Sequence, residues 1–238
     1  MEKNKTYFNW SSGKDSALAL YHLLQDENYA VNELITTVNS HYNRVSMHGL
    51  RKELLIAQTD ALQIPASLIE LPEMPSMDVY EKIMSKTVTR LKNEGFTHTA
   101  FGDIFLEDLR VYRENQLTKI GLKAVFPIWK RDTEKLLNEF LDLGFKTIIV
   151  CANSKYFEED FVGTIIDKNF IKKLPDGVDP CGENGEFHTF CFDGPIFTNP
   201  VPFTIGEKVY REYDSPHTDD SICKSEKYGM WYCDLIPN

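Results

Sequence analysis

Phe8-Asn9-Trp10-Ser11-Ser12-Gly13-Lys14-Asp15-Ser16 leads out of a strand-like stretch at 5–10 and into a helical pattern. Small residues let a backbone turn tightly and approach a ligand closely. A turn that opens a helix presents unpaired N–H groups and the positive end of the helix dipole to an anion. Lys14 adds a mobile positive charge, and Ser11, Ser12 and Ser16 add hydroxyl donors. This is a phosphate cradle in outline. It is not the common P-loop, because Lys14 is followed by Asp15 and only one glycine is present. The bland alternative is a Ser/Gly turn that merely caps a helix. The order of strand, motif and helix speaks for the cradle.

Outward from this run, strand and helix signals alternate. A helix is expected over 15–28, with Ala17, Leu18, Leu20, Tyr21 and Leu24 at helical spacing. A β-branched strand follows at 31–38, a helix at 47–63 and a strand at 67–71. Further helices are expected at 76–94 and 107–120, stopped by Gly95 and Gly121, with strands at 97–101 and 124–126. Such alternation implies an α/β fold with a parallel, Rossmann-like sheet covered on both faces. Ligands bind such sheets outside the carboxyl ends of the strands. The loops Ser11-Ser12-Gly13 and Gly102-Asp103 are therefore expected to face one crevice. The first domain is placed at 1–127. A smaller α+β domain is placed at 128–238, with a helix at 132–143, a strand at 146–151, a helix at 160–174 and short aromatic strands beyond Pro175.

The chain has 238 residues, with 42% hydrophobic residues and a net charge of −10. That hydrophobic content supports a folded core, and that charge argues against general affinity for nucleic acid. The five cysteines, Cys151, Cys181, Cys191, Cys223 and Cys233, show no C-x-x-C spacing. Neither a zinc ribbon nor a thioredoxin-like motif is signalled. An odd count without a signal peptide is read as reduced thiols and a cytoplasmic location. The apolar stretch 17–24 is too short for a membrane span.

A second motif is Asp179-Pro180-Cys181-Gly182-Glu183-Asn184-Gly185-Glu186-Phe187-His188-Thr189-Phe190, followed by Asp193-Gly194-Pro195. Gly182 and Gly185 permit tight turns, which are expected to bring Glu183 and Glu186 to one point.

The first run resembles the SGGKDS signature of the PP-loop ATP pyrophosphatases, with Ser12 where the first glycine usually stands. The second motif resembles the second-domain signature of the diphthine–ammonia ligase family. Met47-His48-Gly49, Phe101-Gly102-Asp103, Arg110-Val111-Tyr112-Arg113 and Pro127-Ile128-Trp129-Lys130-Arg131-Asp132 agree, so the resemblance spans residues 5 to about 200. The tail beyond Ile205, with Tyr228-Gly229-Met230-Trp231-Tyr232, carries no signature.

The resemblance implies a HUP-like PP-loop domain, an ATP cofactor with Mg²⁺, and a two-step reaction. A substrate carboxylate is adenylated with loss of pyrophosphate, and ammonia then displaces AMP to leave an amide. The implied substrate is diphthine, a modified histidine on elongation factor 2, with ammonium as second partner. A homo-oligomer is left open. Ser11, Ser12, Gly13, Lys14 and Ser16 are expected to hold the ATP phosphates, with Lys14 neutralising charge during adenylation. Asp15 is expected to hold Mg²⁺, or else to act as an N-terminal helix carboxylate. Asn39, Ser40 and His48 are expected near the nucleotide, and Gly102 is counted with the nucleotide-binding residues. Asp103 is expected to position Mg²⁺ or ammonium, or to cap the next helix. Glu183 and Glu186 are the expected bases for ammonium. Tyr112, Trp129 and Phe187 are candidates to line a cation, and Arg110, Arg113 and Arg131 to grip an anion.

Two other readings stay open. One is a different PP-loop enzyme, such as a tRNA-thiolating one, which would want a sulfur-carrying cysteine pair and a basic face. The other is a nucleotide sensor without turnover.

Overall fold

A computed structural model describes residues 2–46, 48–214 and 227–238. In the first half, β1 (Asn4–Asn9), β2 (Tyr29–Asn39), β4 (Ala66–Leu71), β5 (His98–Ala100) and β6 (Lys123–Val125) run parallel in the order β4-β2-β1-β5-β6. Successive residues of β1 serve opposite faces, as a strand requires. Phe8 joins the larger buried cluster, and Tyr7 joins a smaller one with Ile35, Leu91 and Phe101. The chain builds outward from β1 to β2 and β4, then returns to add β5 and β6 on the other side. The reversal opens a crevice between the carboxyl ends of β1 and β5, where ligands of such sheets sit.

Helices α1 (Lys14–Gln25), α2 (Lys52–Leu62), α3 (Met77–Asn93) and α4 (Glu107–Lys119) connect these strands. Ser76 caps α3 by accepting the Val79 N–H at 3.3 Å. Helix α2 starts later than the expected 47–63. The preceding residues instead form β3 (Arg44–Val45), antiparallel to the end of β2, and Gly49 turns the chain at φ +68°.

The second half contributes α5 (Thr133–Asp142) and an antiparallel sheet in the order β8-β7-β10-β9. Its strands are β7 (Lys146–Asn153), β8 (Phe187–Asp193), β9 (Phe203–Asp214) and β10 (Lys227–Pro237). The tail without a signature is thus a long hairpin rather than short strands. The expected helix at 160–174 is not formed. Only single 3-10 turns occur there, at Glu159–Phe161 and Ile171–Lys173. Gly163 sits at φ +83°, and Gly163, Thr164 and Ile166 make backbone hydrogen bonds along β7. The β-branched run beside Gly163 favours that extended path over a helix.

The larger buried cluster runs through both halves, joining Phe8 and Leu20 to Phe140, Ile148 and Phe190. Cys151, Cys181, Cys191 and Cys233 are buried and unpaired; Cys223 and Met47 lie outside the described residues. Among the described residues, no helix is long and apolar enough to cross a membrane.

Candidate functional site

The crevice between β1 and β5 has a volume of about 760 Å³. That falls in the range of small-molecule sites. Its floor is the 11–16 loop. Ser11 Oγ and Ser16 Oγ lie 2.7 Å apart, and the Ser11 N–H donates to Ser16 Oγ at 3.2 Å. Gly13 is the extended N-cap of α1 and offers no side chain to the first turn. The N–H groups of Asp15 and Ser16 have no acceptor among the described residues. They face the position an anion takes at a helix N-terminus. The loop therefore fits a phosphate.

Strand β8 backs this loop from the second half. The Lys14 N–H donates to Thr189 Oγ1 at 3.0 Å, and the Cys191 N–H donates to the Ser12 carbonyl at 2.9 Å. Thr189 lies inside the second motif, but its residue type alone gives no hint of this role.

Ser12 takes the left-handed conformation, at φ +73°. Its side chain is 0% exposed, and its hydroxyl has no partner among the described residues. Both features cost free energy, the first about 1–2 kcal/mol and the second through desolvation. A Ser12→Gly variant is therefore expected to gain about 1 kcal/mol after glycine's extra chain entropy is counted. Calorimetry would show a melting temperature higher by about 2–4 °C.

Lys14 is 3% exposed. Its Nζ donates to both Asp15 oxygens, at 2.7 and 3.0 Å, and to the Cys181 carbonyl. Burial works against its charge, but Asp15 and Glu183 outweigh that and hold its pKa above the usual lysine value. Glu183 accepts the Ile104 N–H at 2.7 Å and the Phe105 N–H at 3.4 Å, clamping the loop after β5. Burial, with Asp15 and Asp103 adding to it, pushes the Glu183 carboxyl up to about 7. Asp103 pairs with Arg113 in the crevice wall, and burial raises its pKa despite that arginine.

The two glutamates of the second motif part company. Gly182 and Gly185 do turn the chain, at φ +71° and +83°. Glu183 turns into the crevice, whereas Glu186 is 2% exposed and folds back on its own loop. Its oxygens accept from Asp179 N at 3.1 Å, Asn184 N at 2.9 Å and Asn184 Nδ2 at 3.1 Å. The expected convergence does not occur, because each turn sends its carboxylate to a different side.

His48 lies in the wall, with Nδ1 3.2 Å from the Thr189 carbonyl, so Nδ1 carries the proton. It stacks on His188 at 4.8 Å between ring centres. Burial lowers the His48 pKa to about 3 and that of His188 to about 4. Both rings are thus neutral at physiological pH.

Gly102 touches the start of α1. A Cβ there would lie 2.9 Å from Ser16 N, so only glycine lets the two loops meet. A Gly102→Ala variant is expected to push the helix start aside and to weaken ATP binding at least tenfold, measured by titration calorimetry.

Other expected residues lie elsewhere. Asn39 and Ser40 bond within their own loop and to Glu73 and Leu71. Arg110 bonds Glu114 and stacks over Trp129, while Arg131 bonds His22 and Glu139. Tyr112 bonds Glu81 outside the crevice, whereas Phe187 lines the crevice and packs beneath Lys14. Among the described residues, no group of three acidic, histidine or cysteine side chains comes together to hold a metal. Asp15 lines the crevice and pairs with Lys14.

Two family models match the chain: the diphthamide synthase N-terminal domain over residues 4–124 and the diphthamide synthase C-terminal domain over 132–228. The relatives below are each named diphthine–ammonia ligase. The Rattus norvegicus protein is 24% identical over 238 residues, covering 86% of this chain and 85% of its own. The Homo sapiens protein is 25% identical over 189 residues, covering 73% and 69%. The Schizosaccharomyces pombe protein is 28% identical over 114 residues, which cover 46% of this chain but 18% of that protein. Among solved structures, the U34-tRNA thiolase NcsA from Methanococcus maripaludis aligns over 60% of this chain and 58% of its own. Its identity is 21% and its TM-score 0.37. With both halves matched in order, the chain belongs to the diphthamide synthase family, the family of the diphthine–ammonia ligases.

Proposed function

We propose that this protein is an ATP-dependent ligase that adenylates a diphthine-type carboxylate and amidates it with ammonia. One observation supports the reading above others. Lys14, at the N-terminus of α1, and Glu183, with a pKa of about 7, share one crevice. The first suits phosphate transfer and the second suits proton transfer near neutral pH.

In the first step, a carboxylate oxygen of the substrate attacks the α-phosphorus of ATP. The bond from that phosphorus to the oxygen leading to the β-phosphate breaks, and pyrophosphate leaves. Lys14 and the unpaired N–H groups of Asp15 and Ser16 bind the phosphates and offset the developing negative charge. In the second step, ammonium gives one proton to Glu183. The resulting ammonia attacks the acyl carbon, the acyl–oxygen bond to AMP breaks, the attacking nitrogen releases a second proton to the departing AMP phosphate or to water, and an amide remains. Asp103 adds negative potential that gathers ammonium and the quaternary ammonium of diphthine. His48 and His188, both neutral, close the wall without repelling these cations.

The test follows radiolabelled ATP with ammonium, with and without diphthine-bearing elongation factor 2. AMP and pyrophosphate appearing only with the acceptor support the ligase. No AMP with that acceptor removes diphthine as the substrate.

A further inference from the structure

Gln58 sits on α2 outside the crevice, yet its side chain joins three parts of the molecule. It is 0% exposed. Its Oε1 accepts the Trp10 indole N–H at 2.7 Å. Its Nε2 donates to the Ser12 carbonyl at 3.0 Å and to the Cys191 carbonyl at 2.5 Å. An indole nitrogen only donates, so the orientation of the amide is unambiguous.

We infer that Gln58 is a positioning residue that aims the Gly13 N–H at the nucleotide's phosphates. The Ser12–Gly13 peptide is planar and trans, since the described residues hold no cis bond. Its C=O and N–H therefore point in opposite directions. Gln58 and the Cys191 N–H pull the Ser12 carbonyl inward, toward α2 and β8. The Gly13 N–H is thereby turned toward the crevice side, where its contact is a long one of 3.4 Å to Ser11 Oγ. The conformation needs such a hold, because Ser12 is a left-handed serine that would otherwise relax. Three well-made hydrogen bonds on a fully buried amide supply it.

The inference deepens the reading of the loop as a polyphosphate site and rests on it. The experiment measures binding of ATP, pyrophosphate and adenosine separately by titration calorimetry. It compares the full chain with Gln58→Met, which keeps the side-chain length and loses all three bonds. Val201→Ala, a buried change in the second half, controls for general loss of stability.

Expected is a loss of about 10- to 100-fold for ATP and for pyrophosphate in Gln58→Met, with adenosine unchanged. Val201→Ala should leave all three affinities alone. Equal weakening of adenosine, or unchanged pyrophosphate binding, overturns the inference. If Gln58→Met does not fold, Gln58→Glu serves instead. It keeps the acceptor for Trp10 and sets a carboxylate against the Ser12 carbonyl, so the same phosphate-selective loss is expected. A wild-type chain that binds ATP and pyrophosphate but forms no amide would sink the ligase reading and leave this inference standing.

Discussion

A Glu183→Gln variant is expected to lose amidation by about 10²–10⁴-fold while still exchanging pyrophosphate with ATP. The amide keeps the side chain's size and an acceptor for the Ile104 N–H, so the loop after β5 stays clamped. What disappears is the proton acceptor. At a fixed concentration of ammonium, the wild-type rate should rise with pH through about 7, where Glu183 ionises. The variant should show no such limb. A rate–pH profile with the limb intact in the variant would remove Glu183 from the reaction.

The same carboxyl has a cost in stability, and its sign is opposite to that of an ordinary surface carboxylate. Its pKa rises from 4.5 to about 7 on folding, so the folded state holds the proton more tightly than the unfolded state. Stability is therefore lost as pH rises between those two values. Glu183→Gln should melt higher than wild type at pH 8 and close to it at pH 4. Lost activity with gained stability is the pattern of a residue retained for chemistry rather than for folding.

Lys14→Met is expected to slow formation of AMP and pyrophosphate by about 10²–10³-fold, the usual cost of removing one preorganised charge from a developing anion. Lys14→Arg should not restore it. The ammonium fits between the Asp15 carboxylate and the Cys181 carbonyl above the Phe187 ring, with the ring centre 5.4 Å away. A planar guanidinium does not fit that geometry. Lys14 also lowers the Glu183 pKa. In the residual activity of Lys14→Met, the pH limb should therefore move upward. A limb that stays in place would show that the two residues act independently.

Much of the first half was legible in the sequence because its signals agree with one another. Helical spacing in α1, β-branched residues in β2 and glycine stops after α3 and α4 all favour the same elements. The helix expected at 160–174 fails to form, and its apolar residues fit a helix as well as an edge segment. The counter-signal was Gly163 among β-branched neighbours. In the site, Lys14, Asp103, His48 and Glu183 could be picked out by residue type and by their place after a strand or beside a glycine. Glu183 and Glu186 looked equivalent, since their different directions depend on two left-handed glycines. Gln58 carries a subtler signal: it stands four residues from both Leu54 and Leu62, where the helix face calls for an apolar side chain.

The backing of the phosphate loop by β8 bears on how such a protein can be recombined. Half of what shapes the loop, Thr189 and the Cys191 amide, is encoded more than 170 residues downstream of it. A chimera that grafts the first half of one relative onto the second half of another inherits a loop shaped for a different strand. Exchange between relatives succeeds only if the residues at 12–14, 58, 189 and 191 travel together, so the unit of inheritance at this site is a contact set rather than a stretch of chain.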